Sequence, residues 1–585
     1  MLVLGTGVIC LSLLVGCLLP RSQQLRAGDQ LVVTAWVGLL VCSTTLLGLS
    51  LIMPMGNGVA AGMVSLVALA SILKRSTRSS FREWVRAAGR GGLVAGLLLM
   101  LGMAVLASAE RPMAGDYGGY HYPLTLWFTE VGTVPGLGLL HHRFATPASW
   151  WTINALYNVG DMKGRIEPVL GYVSVVLITY HVVVAMARML KGRGALSDQF
   201  LVVGFALMVP YLSGMLGYPD KPFSDRADEA VAMLGLVVAW LFLALSQPRT
   251  DRNHGHQALD RGSLMALLIL AAGAVTLKLS AIPIVMVAWL FAVSVARRPG
   301  RAAVLSTVVV VLVLSPVVLF SLTTTGCLLF PSEIGCFNVP WAIGTEKAKW
   351  YSSTVTNLAR WMSEQSQGTL SEWMRSWFSG HPILAVSSLA SVFGGGFYLL
   401  LSLRRPGRLQ PWGWPVMLGV LGLVYGMVLA PTLRFLIPYL MIIPALVVVR
   451  AVHDTRVPIR ADVFRRLGEH SYMPFVVPAL ILLALFALPT SVLNLGSAMR
   501  GDLGRAVLLE EVRWLAPDEV RSDPSLEVRW SEDVRYLFPV ETSQCGGAPL
   551  PCTPFLTYPD IRLRSPEEGI AKGFIRSAGS TSNGS

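Results

Sequence analysis

Apolar runs long enough to cross a ~30 Å hydrocarbon core recur along most of the chain, each bounded by a short polar stretch. Roughly fourteen are legible, near residues 1–20, 30–52, 57–73, 91–109, 166–189, 198–217, 229–247, 262–277, 282–296, 302–322, 383–403, 413–430, 435–450 and 473–495. This pattern predicts an all-α polytopic membrane protein, with 262–277 and 282–296 as a hairpin of short helices. The opening run, "MLVLGTGVICLSLLVGCLLP", has neither a basic leader nor a small-residue cleavage site, and reads as a retained span. Beyond residue 495 the pattern turns charged and mixed, as in "LLEEVRWLAPDEVRSDPSLEVRW". The chain therefore divides into a transmembrane region, 1–495, and a small extracytoplasmic cap, 496–585, ending in the low-complexity "SAGSTSNGS".

Composition agrees with a membrane protein. Of 585 residues, 53% are hydrophobic and only 14% charged, and the mean hydropathy is +0.58, too apolar for a soluble protein. The net charge of +13 is not a nucleic-acid signature, because the cations are spread between spans. They set topology instead. Arg21 and Arg26, the stretch Lys74 to Arg90, Arg188 with Lys191 and Arg193, Arg249 to Arg261, Arg297 to Arg301, Arg404 to Arg408, and Arg450 to Arg466 all fall on one side. The positive-inside rule makes that side cytoplasmic. Loops 110–165, 218–228, 323–382 and the segment from 496 then face outward.

Cysteine usage bears on the same point. Cys10, Cys17 and Cys42 lie in apolar spans, whereas Cys327 with Cys336 and Cys545 with Cys552 form two tight pairs in outward loops. Disulfides persist in oxidising compartments, and loops this small would each contribute ~2–3 kcal/mol when closed.

The richest chemistry lies in "DYGGYHYPLTLWFTEVGTVPGLGLLHHRF", residues 116–144. Gly115, Gly118 and Gly119 permit unusual backbone angles around Asp116. Pro123 suits a first helical turn. Leu124, Trp127, Phe128 and Val131 then recur as one apolar stripe, which predicts a short helix lying in the membrane interface. Asp116 and His121 would sit at its start, where a carboxylate can act as general base on a water-borne acceptor. The plainer reading is that Asp116 caps a turn. His121, His141 and His142 lack a helical ligand spacing, so no metal site is assigned, although a divalent ion is compatible with the chemistry.

Cations suited to a phosphate follow from position. Arg434, in "APTLRFLIP", and Lys278, in "TLKLSAIP", fall at outward turns between spans, and Arg143 adjoins the histidines. For both turn cations, snorkelling is the structural alternative. The loop "GYPDKPFSDRADEA" carries Asp220, Asp225, Asp228 and Glu229, of which Asp225 or Asp228 is a candidate second site acid, an ordinary solvated loop being as good a reading. Trp341, Trp350, Trp361, Trp373 and Trp377 in 323–382 suit interface anchoring, with one or two available to stack on sugar.

An outward acid after an early span, a surface helix, further spans and a later acidic loop resemble the GT-C class of integral-membrane glycosyltransferases. More narrowly, "DYGGYHYPLTLWFTEVGTVPGLGLLHHRF", "TLKLSAIPI", "TGCLLFPSEIGCFNVPW", "PTLRFLIPYL" and "CGGAPLPCTPF", spread over residues 110–575, resemble a group of large bacterial envelope membrane proteins. The resemblance implies a GT-C-like bundle in the bacterial inner membrane. It further implies a polyprenyl-phosphate-linked sugar as donor, a glycan or lipid acceptor outside the cytoplasm, and inversion at the anomeric centre. The base role maps onto Asp116, the one acid between Glu110 and Glu130. His121, His141, His142, Arg143, Asp225, Asp228, Lys278 and Arg434 are the candidate substrate-binding residues. Where many members carry paired acids, this chain has "GDYGG".

Two other classes compete. An ion-coupled transporter would need acids inside its spans, and none lies in an apolar core here; a lipid-linked oligosaccharide flippase escapes that objection. An envelope polysaccharide polymerase or ligase would use arginine- and histidine-based outer loops. A membrane scaffold is the bland alternative.

Overall fold

A computed structural model describes residues 1–109, 116–146, 149–213, 223–246, 260–296, 298–360, 369–403, 412–455, 472–498, 525–542 and 544–577. Gly115, Asp220, Trp361, many of the loop cations and residues 499–524 fall outside them.

A helix lies over each apolar run. In chain order they are α1 (Leu2–Gly16), α2 (Ala27–Ser50), α3 (Gly58–Leu73), α4 (Arg75–Ala109), α5 (Tyr122–Glu130), α6 (Leu137–Leu140), α7 (Ser149–Tyr157), α8 (Pro168–Leu190), α9 (Leu196–Leu212) and α10 (Ala227–Ser246). Then come α11 (Arg261–Leu277), α12 (Ile282–Ser294), α13 (Pro299–Thr325), α14 (Thr345–Ala359), α15 (Leu370–Gly380), α16 (Pro382–Leu403), α17 (Gly413–Leu429), α18 (Leu433–Leu440), α19 (Ile442–Thr455) and α20 (Met473–Ala498). Among the described residues, seven helices are long and apolar enough to cross a membrane, with α18 and α19 counted as one, and seven further apolar helices are shorter.

The protein is thus predominantly helical, and its apolar helices point to membrane association. Along α13, Val304, Leu305, Val308, Val311, Leu312 and Leu319 are exposed, a stripe that water would disfavour and lipid would not. The most apolar windows of α13 and α16 are only 22% buried, against 89% in α8. Helices α2, α8, α10 and α11 therefore form the core and α13 and α16 its periphery. Small residues set the tightest crossing. A Cβ on Gly38 of α2 would fall 1.7 Å from the Ser12 carbonyl oxygen of α1, and one on Gly16 would fall 2.2 Å from that of Thr34. Glycine is what lets these two backbones touch.

Two antiparallel pairs close the chain: β1 (Leu526–Ser531) with β2 (Val534–Pro539), and β3 (Ile561–Leu563) with β4 (Phe574–Arg576). This small β segment docks on the bundle. Phe574 N–H donates to Pro135 O at 2.9 Å and Gly546 N–H to Gly118 O at 2.8 Å.

The end of the bundle opposite this cap is stapled by charge. Arg26 donates from Nε to Asp29 at 3.1 Å and from Nη2 to Asp198 at 2.8 Å. Arg188 reaches Asp29 at 2.8 Å and also pairs with Asp198. His181 Nε2 lies 3.3 Å from Asp29. Asp29 and Asp198 occupy first helical turns of α2 and α9, and Arg188 the last turn of α8, so each charge also complements a helix dipole. Two cations read above only as topology signals are, in the fold, partners of buried acids. Because Asp198 is fully buried, Asp198→Ala removes one of the two carboxylates that Arg26 and Arg188 share and leaves both with Asp29 alone, and we expect a loss of ~1–3 kcal/mol. A melting temperature in detergent equal to that of the wild type would refute this staple.

Candidate functional site

At the capped end, residues Tyr117–His121 form one π-helical turn leading into α5. The i→i+5 bonding of such a turn brings the fifth residue round toward the face of the first, and single π-turns occur often at functional sites. Asp116 sits at its start but makes no side-chain cap bond. Its carboxylate turns instead to cations. Arg143 Nη1 donates to Oδ1 at 3.0 Å, while Arg226 Nη2 stands 3.8 Å from Oδ2, beyond direct hydrogen bonding. The acid and Arg143 remain 30% and 41% exposed, open to a ligand.

Aromatic rings frame this pair. The Arg143 guanidinium lies 5.0 Å from the centroid of Tyr120, and Tyr351, carried by α14, hydrogen-bonds the same group. Burial raises the pKa of both phenols, and the Asp116 charge raises them further, so both are neutral hydroxyl groups. Burial opposes the Arg143 charge, but the groups around it, the hydrogen-bonded Asp116 carboxylate among them, outweigh it and raise its pKa above the ordinary value. Arg434 also acts electrostatically on both tyrosines.

His121 and Asp225 form a second, buried pair, with Nδ1 2.9 Å from Oδ1. The His121 ring lies 4.5 Å from Trp151 and 4.4 Å from Tyr120. The Trp151 indole N–H donates to the Asp225 backbone carbonyl at 3.2 Å. Three residues on, Asp228 in the first turn of α10 pairs with Lys278. Lys278 occupies the turn between α11 and α12, which Tyr439 holds through a 2.6 Å bond to Ser280 O. Lys278 Nζ and Arg434 Cζ flank one ring, Phe435, at 4.3 and 4.8 Å. Asp116, His121, Arg143, Asp225, Asp228, Lys278 and Arg434 thus belong to one charged cluster.

His141 and His142 play a different part. Arg143 N–H donates to His141 Nδ1 at 3.1 Å, and the His141 ring stacks on Phe144 at 4.6 Å and meets Phe555 of the cap at 4.4 Å. His142 packs 4.2 Å from Tyr351 and 5.1 Å from Phe555. Burial lowers both pKa values, that of His142 to about 3. Both are therefore neutral packing groups beneath the cap. Among the described residues no three His, Cys, Asp or Glu side chains converge as a metal-ligand set.

The expected interfacial helix is corrected. Every residue of α5 from Tyr122 to Thr129 is buried, because α7 packs along it, Phe320 meets Phe128 at 5.9 Å and Phe574 meets Trp127 at 6.0 Å. Its stripe thus faces protein, not lipid. Both cysteine pairs are joined, Cys327 with Cys336 and Cys545 with Cys552. The second loop places Gln544 against Gly118, where a Cβ would lie 2.5 Å from its Oε1. Of the loop tryptophans, Trp377 is buried and donates to Pro431 O at 2.8 Å, while Trp350 is exposed. Arg226, Tyr120, Trp151, Glu229 and Tyr351 join the cluster without having been assigned a role from sequence; Arg226 was legible as the one arginine of the acidic loop. A small cleft between α1, α2 and α11 lies at the opposite end, and its lining carries Arg21.

A pH dependence follows from His142. Its pKa is depressed in the fold to about 3 against ~6.5 unfolded. Unfolding therefore takes up a proton between these values, and stability falls as pH drops below ~6.5, by up to ~1.4 kcal/mol per unit. Melting profiles from pH 7 to 4 should be steeper for the wild type than for His142→Phe; equal slopes would refute the assignment.

No curated protein and no solved structure matches the chain. Residues 2–441 match a family described as a domain of unknown function, DUF8201. That stretch includes every member of the charged cluster and ends before the cap. Since the match spans most of the 585 residues, the chain belongs to the DUF8201 family.

Proposed function

We propose that this chain is an integral-membrane glycosyltransferase of GT-C type, moving a sugar from a polyprenyl-phosphate carrier to a glycan or lipid acceptor outside the cytoplasm. In this reading the apolar helices, roughly fourteen with the shorter ones included, cross the bacterial inner membrane, and the loop cations keep the end opposite the cap in the cytoplasm.

The observation that carries the reading is the partly exposed carboxylate of Asp116, paired with Arg143 and faced by Arg226, with Arg434 acting on the neighbouring Tyr120 and Tyr351. An acceptor hydroxyl approaching Asp116 gives its proton to Oδ2, the oxygen that Arg226 does not directly bond. The acceptor oxygen forms its bond to the anomeric carbon as the carbon–oxygen bond to phosphate breaks. The departing electron pair stays on the phosphate, where preorganised cations stabilise it. The neutral hydroxyl groups of Tyr120 and Tyr351 can donate to the same oxygens.

One observation favours a second reading, an envelope polysaccharide polymerase or ligase. The acid is bracketed by two arginines, and such enzymes work through arginine-rich outer loops. The two readings differ in donor, a single-sugar carrier against a lipid-linked glycan.

Purified protein supplied with labelled polyprenyl-phosphate sugars should cleave or transfer the sugar. Asp116→Asn should lower that rate ~10²–10⁴-fold, as loss of a general base does, with expression intact. A variant as active as the wild type removes Asp116 from the mechanism. Turnover confined to lipid-linked glycan favours the second reading, and glycan crossing vesicles without bond cleavage favours a flippase.

A further inference from the structure

The first part of α4 is a basic amphipathic helix. Gly89 takes φ 59° and ψ −173°, a backbone conformation that favours glycine, so residues 75–88 form a helical piece joined through a kink to the apolar part behind it. At 3.6 residues per turn, Arg75, Arg78, Arg82 and Arg86 fall within an arc of about 80°, and all four are exposed. Thr77, Ser80 and Trp84 lie on the opposite side and are buried, with Phe81 5.3 Å from Trp84. The helix thus packs one face on the bundle and turns a single row of guanidinium groups outward.

The neighbouring charges are engaged within the protein. Lys74 Nζ donates to the carbonyls of Cys17 and Leu18 at 3.3 and 3.1 Å. Glu83, the one acid between Asp29 and Glu110, meets Arg21 at 3.8 Å, at the end opposite the cap. Arg78 donates to the Leu73 carbonyl at 3.2 Å, while Arg75, Arg82 and Arg86 pair with no acid among the described residues. Like charges at three- and four-residue spacing repel, so the row is completed by an external anion. Its borders indicate the source. Ile72 and Leu73 before it, Val85 beside it, and Leu93 and Leu97 beyond the kink are all exposed. A cationic row set between surfaces that lipid would cover lies at headgroup level.

We infer that Arg75, Arg78, Arg82 and Arg86 form a binding strip for the phosphate groups of anionic phospholipids, in the leaflet at the end opposite the cap. The strip is independent of any transferase activity and requires only that the apolar helices lie in a membrane. Guanidinium groups suit it, since each offers forked N–H donors to phosphate oxygens.

The test uses the full chain in liposomes of phosphatidylcholine and phosphatidylglycerol, each lipid in turn carrying a photoreactive group at its headgroup. Irradiation and peptide mass spectrometry then read which lipid labels residues 75–90. In the wild type the phosphatidylglycerol probe should label this segment several-fold more than the phosphatidylcholine probe. Replacing the four residues together (Arg75→Gln, Arg78→Gln, Arg82→Gln and Arg86→Gln) should lower that ratio at least about five-fold, the effect of one cation at a membrane surface. Should this variant fail to insert, the wild type in about 1 M salt decides, because the Debye length there is about 3 Å and the ratio should again fall. Equal labelling by the two probes in the wild type overturns the inference and leaves the strip to a soluble acidic partner. A ratio that neither substitution nor salt lowers overturns it as well.

Discussion

At the capped end of the bundle a carboxylate and a guanidinium meet at 3.0 Å while both stay partly exposed, and the architecture around them reads as a means of holding that contact. The pair cannot hold itself. At such exposure an ion pair contributes at most ~1 kcal/mol, less than the cost of ordering the two chain segments that bring it together. The stabilisation comes from apolar packing beneath: Trp127, Phe128, Trp150 and Phe144 are all fully buried, each contributing on the order of 1.5–3 kcal/mol. Packing supplies the free energy, and the ionic contact receives its geometry from it.

The two ends of the bundle show what this division achieves. At the stapled end Asp29 and Asp198 are each shared by Arg26 and Arg188, with little solvent access, and every charge is answered. At the capped end Asp116 stays partly exposed between Arg143 and the more distant Arg226, beside the buried His121–Asp225 pair. The first arrangement is a closed structural network; the second leaves binding capacity on its cations.

The bundle was legible in the sequence because apolarity is a local property, and a helix stands wherever a long run predicted one. Lys278 and Arg434 could be placed at turns for the same reason. Asp116 stood out as a lone acid in an aromatic loop. What could not be read were partnerships between distant segments. Tyr351 arrives on α14 more than two hundred residues after Tyr120, and no local pattern marks it. The apolar stripe of α5 was visible, but whether lipid or protein would cover it depended on α7 and Phe574. His141 and His142 suggested ligands by their chemistry, and only the Phe555 ring above them shows them to be packing.

The bond from Gly546 to Gly118 joins the first half of the chain to its far end. During synthesis the π-turn emerges long before the segment that covers it, and helices α5 to α20 pass in between. Until residues 525–577 arrive, the turn is without this tether and His141 and His142 are without Phe555. Closure over the π-turn is in this way tied to the arrival of residues 525–577: the segments that form the charge staple are all made first, and the capped end is finished last.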